Sequence, residues 1–163
     1  MNTVKHPHFD RRIRTKKEIK QLIAERNHVL SQFYGLTHHI DDPKKGDLET
    51  LHELLQEFCQ DLIDYIATGH FEIYRRIEER QERRHEILEL SDEVFHKILD
   101  TTKVAINFND LYDFSNDLNP EVLKEFPMQL SELGQNLAVR IELEDRFINT
   151  LLSPRIRQTE STH

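Results

Sequence analysis

The stretch "FCQDLIDYIATGHFEIY", residues 58–74, places Cys59, Asp61, Asp64, Tyr65, His70 and Tyr74 within otherwise helix-like sequence. Side chains of these types can act in catalysis, hold a metal ion, or grip another protein. Catalysis needs a nucleophile beside a base, or a carboxylate pair in a cleft. Cys59 falls at the edge of an apolar face, with its nearest acid–base candidates on other helices, so it reads as inert core. Gly-rich phosphate loops, G-x-S-x-G and Walker-type segments are all missing from the chain. No enzymatic activity is expected.

Four Glu-x-x-His pairs occur, Glu25/His28, Glu49/His52, Glu82/His85 and Glu93/His96, at the spacing that di-iron carboxylate bundles use from inside their cores. On helical wheels His28, Glu49, Glu82, His85, Glu93 and His96 turn away from the apolar stripes and cannot converge on a shared ion. His38 and His39 beside Asp41 and Asp42 imply no ordered geometry. No metal or cofactor is expected, and a metal- or ligand-binding bundle of the hemerythrin or ferritin kind stands as the alternative.

The elements that must position these residues follow from the periodicity. Ile19, Leu22, Ile23, Leu30, Phe33 and Leu36 predict a helix over 15–36, which Pro43 and Gly46 break. Leu48 to Ile66 predicts a second helix over 47–68, ending at Gly69. A short helix from His70, a break near 82–86 and a long helix to 114 follow. Asn119 then caps a last helix that starts at Pro120 and runs to 152, with Pro127 kinking it or marking a late start. Short connections between long helices predict an all-α fold, an antiparallel four-helix bundle with an additional short helix. The 163 residues form one domain, with a flexible basic arm at 1–14 and a tail at 155–163.

The net charge of −8 argues against direct binding to nucleic acid or an anionic membrane, and suits a basic protein partner. One cysteine forms no internal disulfide, and no apolar run approaches a membrane span. A cytoplasmic protein is expected.

Facing divides the polar residues. At about 100° per residue, Arg26 falls in the middle of the first helix's core side and Glu144 within about 30° of the last helix's inner centre. An unpaired buried charge costs several kcal/mol, so the two are predicted to meet as a buried polar pair, with Tyr74 or His70 assisting. Removing Arg26 should then be costly through the orphaned Glu144. On the second helix, Leu51, Leu55, Phe58 and Leu62 mark the core side, Asp61 lies on the flank and Asp64 points out. Tyr65 and Phe71 close to that carboxylate suggest a protein interface.

The segment "FCQDLIDYIATGHFEIYRRI" resembles the signature of the Rsd/AlgQ family, bacterial regulators of sigma D. "ERNHVLSQFYGL" at 25–36 is similar to the family's first-helix pattern, and "RIELEDRFINTLL" at 140–152 to its closing Arg-x-x-Leu-Glu-Asp motif. Asp64, Tyr65, Gly69, His70, Phe71 and Tyr74 match position by position, as do Arg140, Leu143, Glu144 and Asp145. The resemblance implies an anti-sigma regulator that binds the C-terminal, promoter-reading domain of the housekeeping sigma factor and keeps it from core RNA polymerase and the −35 element. Asp64 would offer charge to an Arg or Lys of sigma, with Tyr65, Phe71 and Tyr74 shaping the apolar part and Asp61 and His70 beside them. Where the family's first helix usually carries Asp-Arg-Trp, this chain has Lys20, Gln21 and Leu22, and Arg75 replaces an acidic residue; both changes subtract acidic or aromatic surface. Some family members are also associated with sugar-transport phosphocarrier and stringent-response proteins, and an adaptor in another signalling route is a further alternative.

Overall fold

Helical periodicity continues through every segment of the chain that the computed structural model describes, residues 7–41, 48–78, 85–113 and 118–152. The helices are α1 (Pro7–Asp41), α2 (Leu48–Glu78), α3 (His85–Tyr112), α4 (Pro120–Lys124) and α5 (Phe126–Leu152). α1, α2, α3 and α5 form the all-α bundle, with α2 packed on α1 and α3, and α5 on α3 and α1; α4 is a short helix leading into α5, which the periodicity reading did not separate from it. Cross-helix contacts fix the directions. His28 meets Asp61 and Phe33 meets Phe58, so α2 runs back along α1; Arg26 meets Asp145 and Phe33 packs on Gly134, so α5 does the same. Arg146 faces Glu93 and Tyr112 bonds Gln129, which sets α3 antiparallel to α5.

Several boundaries differ from the periodicity reading. α1 begins at Pro7, inside the stretch expected to be a mobile arm, because proline suits a first helical turn and the Arg and Lys that follow are good helix formers. α2 does not stop at Gly69 but continues to Glu78, so the expected short helix is its last part. The expected break lies mostly, and the tail wholly, outside the described residues. Asn119 Oδ1 accepts from Val122 N at 2.9 Å and Pro120 opens α4, as the capping rules require. Pro127 falls in the first turn of α5, where its missing N–H breaks no helical bond.

A chain of rings, Phe33, Phe58, Phe108, Tyr112 and Phe126, links all four long helices through the main core, with centroids 4.8–6.4 Å apart. Along α3 and α5 this core gives way to a second cluster, Val94, Ile98, Leu143 and Phe147. Between the two lies a polar layer. Glu144, 0% exposed, takes a hydrogen bond from the Tyr65 hydroxyl on its Oε1, and its Oε2 is 3.6 Å from Arg140 Nε. Arg140, 1% exposed, donates from Nη1 to Thr102 Oγ1 at 2.8 Å and to Thr101 Oγ1 at 3.3 Å, with its guanidinium 5.6 Å from the centre of the Tyr65 ring. Arg26 reaches in from α1, 3.8 Å from Glu144 Oε1 and 2.8 Å from Asp145 Oδ1. Gly69 makes room for the layer: a Cβ there would sit 3.3 Å from both Arg140 Nη2 and Glu144 Oε2. That close approach, rather than a helix end, accounts for the glycine.

Burial pushes the Glu144 carboxyl above its ordinary value, against the opposing pull of Arg140, the Tyr65 hydroxyl and Arg26. Burial, with the Glu144 charge adding to it, also raises the Tyr65 phenol, which keeps its proton and stays the donor. Two predictions follow. Arg140→Ala should cost about 3–5 kcal/mol because Glu144 loses its buried cation. Arg26→Ala should cost only about 1 kcal/mol, since Glu144 keeps Arg140 and Tyr65 and the nearest partner of Arg26 is half-exposed. Urea unfolding of both variants orders them, and equal losses would contradict the assignment. Because the folded-state pKa of Glu144 is raised, the carboxyl ionises less readily in the native state than in the unfolded chain. The stability of wild type relative to Glu144→Gln should therefore decline as pH rises above the ordinary carboxylate value of 4.5. Parallel pH profiles of the two unfolding free energies would refute this.

Candidate partner-binding face

α2 turns one stripe outward. Glu53, Glu57, Gln60, Asp64 and Phe71 are all exposed, and their spacings of 4, 7, 11 and 18 residues place them within about 40° of one line. The stripe is about 27 Å long at 1.5 Å per residue. It is acidic over most of its length and ends at Phe71, which is 67% exposed. Gln60 Nε2 donates to Asp64 Oδ1 at 3.3 Å, and Asp64 is exposed. The result is a charged rim beside an aromatic, a combination that can bind a cationic, partly apolar protein surface.

The residues singled out in sequence divide between this stripe and its support. Asp64 and Phe71 stand on it. Asp61 is on the flank towards α1, where its Oδ2 accepts from Gln32 Nε2 at 2.7 Å and pairs with His28 Nε2 at 3.1 Å. Its carboxylate joins α1 to α2 at the edge of the face. Tyr65 is not on the surface: it is 0% exposed and holds Glu144. It sits three residues after Leu62 and seven after Phe58, and so continues the inward stripe although Asp64 is its neighbour in sequence. His70 does not lean inward either, because α2 runs helically through Gly69 and carries the imidazole out, edge-on to the Phe71 ring at 5.9 Å. The side chain of Tyr74 lies outside the described residues, as does that of Arg75. Lys20 and Gln21 are exposed, but Leu22 is core and faces Gly69, so a change there alters packing beneath the face and not the face itself.

Arg26 and Glu144 belong to the polar layer behind α2, together with Arg140, Thr101 and Thr102, which periodicity did not single out. Arg140 had a legible signal: it is three residues past Leu137 and four before Glu144, on the inner stripe, in the position of an i,i+4 ion pair. Of the described Glu-x-x-His members, His28, Glu49, Glu93 and His96 are exposed, whereas Glu25 and His52 are half-buried; His28 is bound to Asp61 and Glu93 lies near Lys97 and Arg146. Among the described residues, no three His, Cys, Asp or Glu side chains come close enough to share an ion. Cys59 is buried, and that burial, with the Asp113 charge, pushes its thiol up to about 12, far from the thiolate that chemistry would need. No described helix is long and apolar enough to cross a membrane.

The family profile described as "Regulator of RNA polymerase sigma(70) subunit, Rsd/AlgQ" matches residues 4–152. Proteins named "Regulator of sigma D" from Salmonella newport, Salmonella typhi and Salmonella typhimurium are each 30% identical over 134 residues, covering 82% of this chain and 81% of the relative. No solved structure matches significantly. The match extends from α1 to the end of α5 and includes both the outward α2 segment and the Arg140–Asp145 run behind it; the chain belongs to the Rsd/AlgQ family of regulators of the RNA polymerase sigma(70) subunit.

Proposed function

We propose that this chain is a non-enzymatic anti-sigma regulator that binds the C-terminal, promoter-reading domain of the housekeeping sigma factor through the outward face of α2. The observation that carries the reading is the exposed acidic stripe ending at Phe71, on the segment that resembles the family signature and lies within the matched residues 4–152. A domain that contacts DNA is basic, and an acidic helix face of net-negative protein meets it with complementary charge. Asp64 supplies charge to an Arg or Lys of sigma, and Phe71 with His70 supplies apolar contact. Asp61 holds the α1 edge, and Tyr65 supports the helix from behind. Occlusion is steric and electrostatic: while the face is occupied, sigma cannot present the same basic surface to core polymerase or to the −35 element.

Calorimetric titration with the purified sigma C-terminal domain tests this. Asp64→Lys should weaken binding by about tenfold or more, and wild-type affinity should fall as salt rises. The melting temperature should not drop, because Asp64 is exposed and outside the polar layer. No binding by wild type at low salt and tens of micromolar protein would refute the reading.

A further inference from the structure

Where the acidic face of α2 meets α1, the seam between the two helices opens. His28 Nε2 and Asp61 Oδ2 pair at 3.1 Å across these antiparallel helices. Seven residues make two helical turns and return to within about 20° of the same flank. Gly35 stands seven residues after His28 and Leu54 seven before Asp61, so the two face each other across the same seam, about 10.5 Å further along. A Cβ at Gly35 would meet nothing among the described residues within 4 Å. Leu54 is 37% exposed although its flank of α2 is the one turned to α1. The pair forms a notch, walled by an aliphatic side chain on one helix and by bare backbone on the other.

Charge along this seam is of one sign. Glu57, Asp61 and Asp64 follow Leu54 at three, seven and ten residues, the spacing of a single helix flank, over about 15 Å. Glu57 and Asp64 are exposed; Gln32 and His28 hold Asp61, and Gln60 reaches Asp64. α1 brings no counter-charge to them. Between residues 21 and 40 its only lysine or arginine is Arg26, which turns inward to Glu144 and Asp145. Lys17 and Lys20 are exposed at the other end, where Leu22 packs on Gly69 and the helices come level with Phe71. The acidic part of the seam is therefore the part that holds the notch.

We propose that the partner-binding face crosses from α2 onto α1, and that the notch between Gly35 and Leu54 seats an aliphatic side chain from a basic helix of the partner. The proposal rests on the sigma-binding reading and adds to it an anchor point and the kind of segment that fills it. That helix carries lysine or arginine one to three turns from the anchor, opposite Glu57, Asp61 and Asp64. Charge complementarity selects it, since an acidic segment in the same place would set like charges against Glu57 and Asp64. The missing Cβ lets the anchor reach the backbone of α1, which any larger residue at position 35 would prevent.

Titration of the full chain with the sigma C-terminal domain, alongside thermal melts, tests this. Gly35→Gln should lower affinity at least about tenfold. It should melt no earlier than wild type, because glutamine is a better helix former than glycine and its Cβ meets no neighbour. Leu54→Gln should lower affinity at least about fivefold, and if it melts early, Gly35→Gln alone carries the test. Val139→Gln, 46% exposed on α5, should stay within about twofold of wild type. Wild-type affinity in Gly35→Gln alongside a loss in Asp64→Lys would confine the face to α2 and overturn this inference. Early melting of Gly35→Gln would mean that the notch is closed in the folded chain, and equal losses in the notch and control variants would mean that it is not the anchor; either overturns the inference. A wild-type chain that does not bind the domain would overturn the sigma reading and this inference with it.

Discussion

Glu144 carries a carboxylate to the centre of a helical bundle, where an isolated charge costs several kcal/mol, and much of the interior is arranged around that fact. Arg140 stands one turn earlier on the same helix, Tyr65 donates from α2, and Arg26 approaches from α1. Thr101 and Thr102 accept from Arg140 and in turn donate to the Ile98 carbonyl, which ties α3 into the same layer. All four long helices meet there. Such a layer adds little net stability over an apolar one of the same volume, but it penalises any slip in register, since a shift of one residue would strand buried charges.

That inward commitment shapes the outward surface. Tyr65 and Gly69 are spent on Glu144 and Arg140, and their positions fix the rotation of α2 about its own axis. With that rotation fixed, Asp64 and Phe71 have no place but solvent. Asp61, held by Gln32 and His28, joins the same helix to α1 at the edge of the face. The acidic stripe is consequently a rigid helical surface, suited to a partner whose shape is also preformed.

Much of this arrangement was legible in the sequence, and the misreadings share a cause. The 3.6-residue period located the long helices, the Asn119–Pro120 cap and the inward tilt of Arg26 and Glu144. Gly69 was misread because a glycine after an apolar run signals a helix end equally well as it signals close packing, and only the neighbouring helix distinguishes the two. The misplacement of His70 followed directly from it. Tyr65 was drawn to the surface by its neighbour Asp64, although its own phase matched Phe58 and Leu62.

The division of α2 into a buried half that fixes its rotation and an exposed half that meets sigma is the central claim, and site-specific photocrosslinking measures it most directly. A photoreactive residue placed at Gln60, on the acidic stripe, should yield a covalent heterodimer when the chain is mixed with the sigma C-terminal domain, whereas the same residue at Val139, exposed on α5, should yield none. Crosslinking from position 139 and not from position 60 would contradict the account.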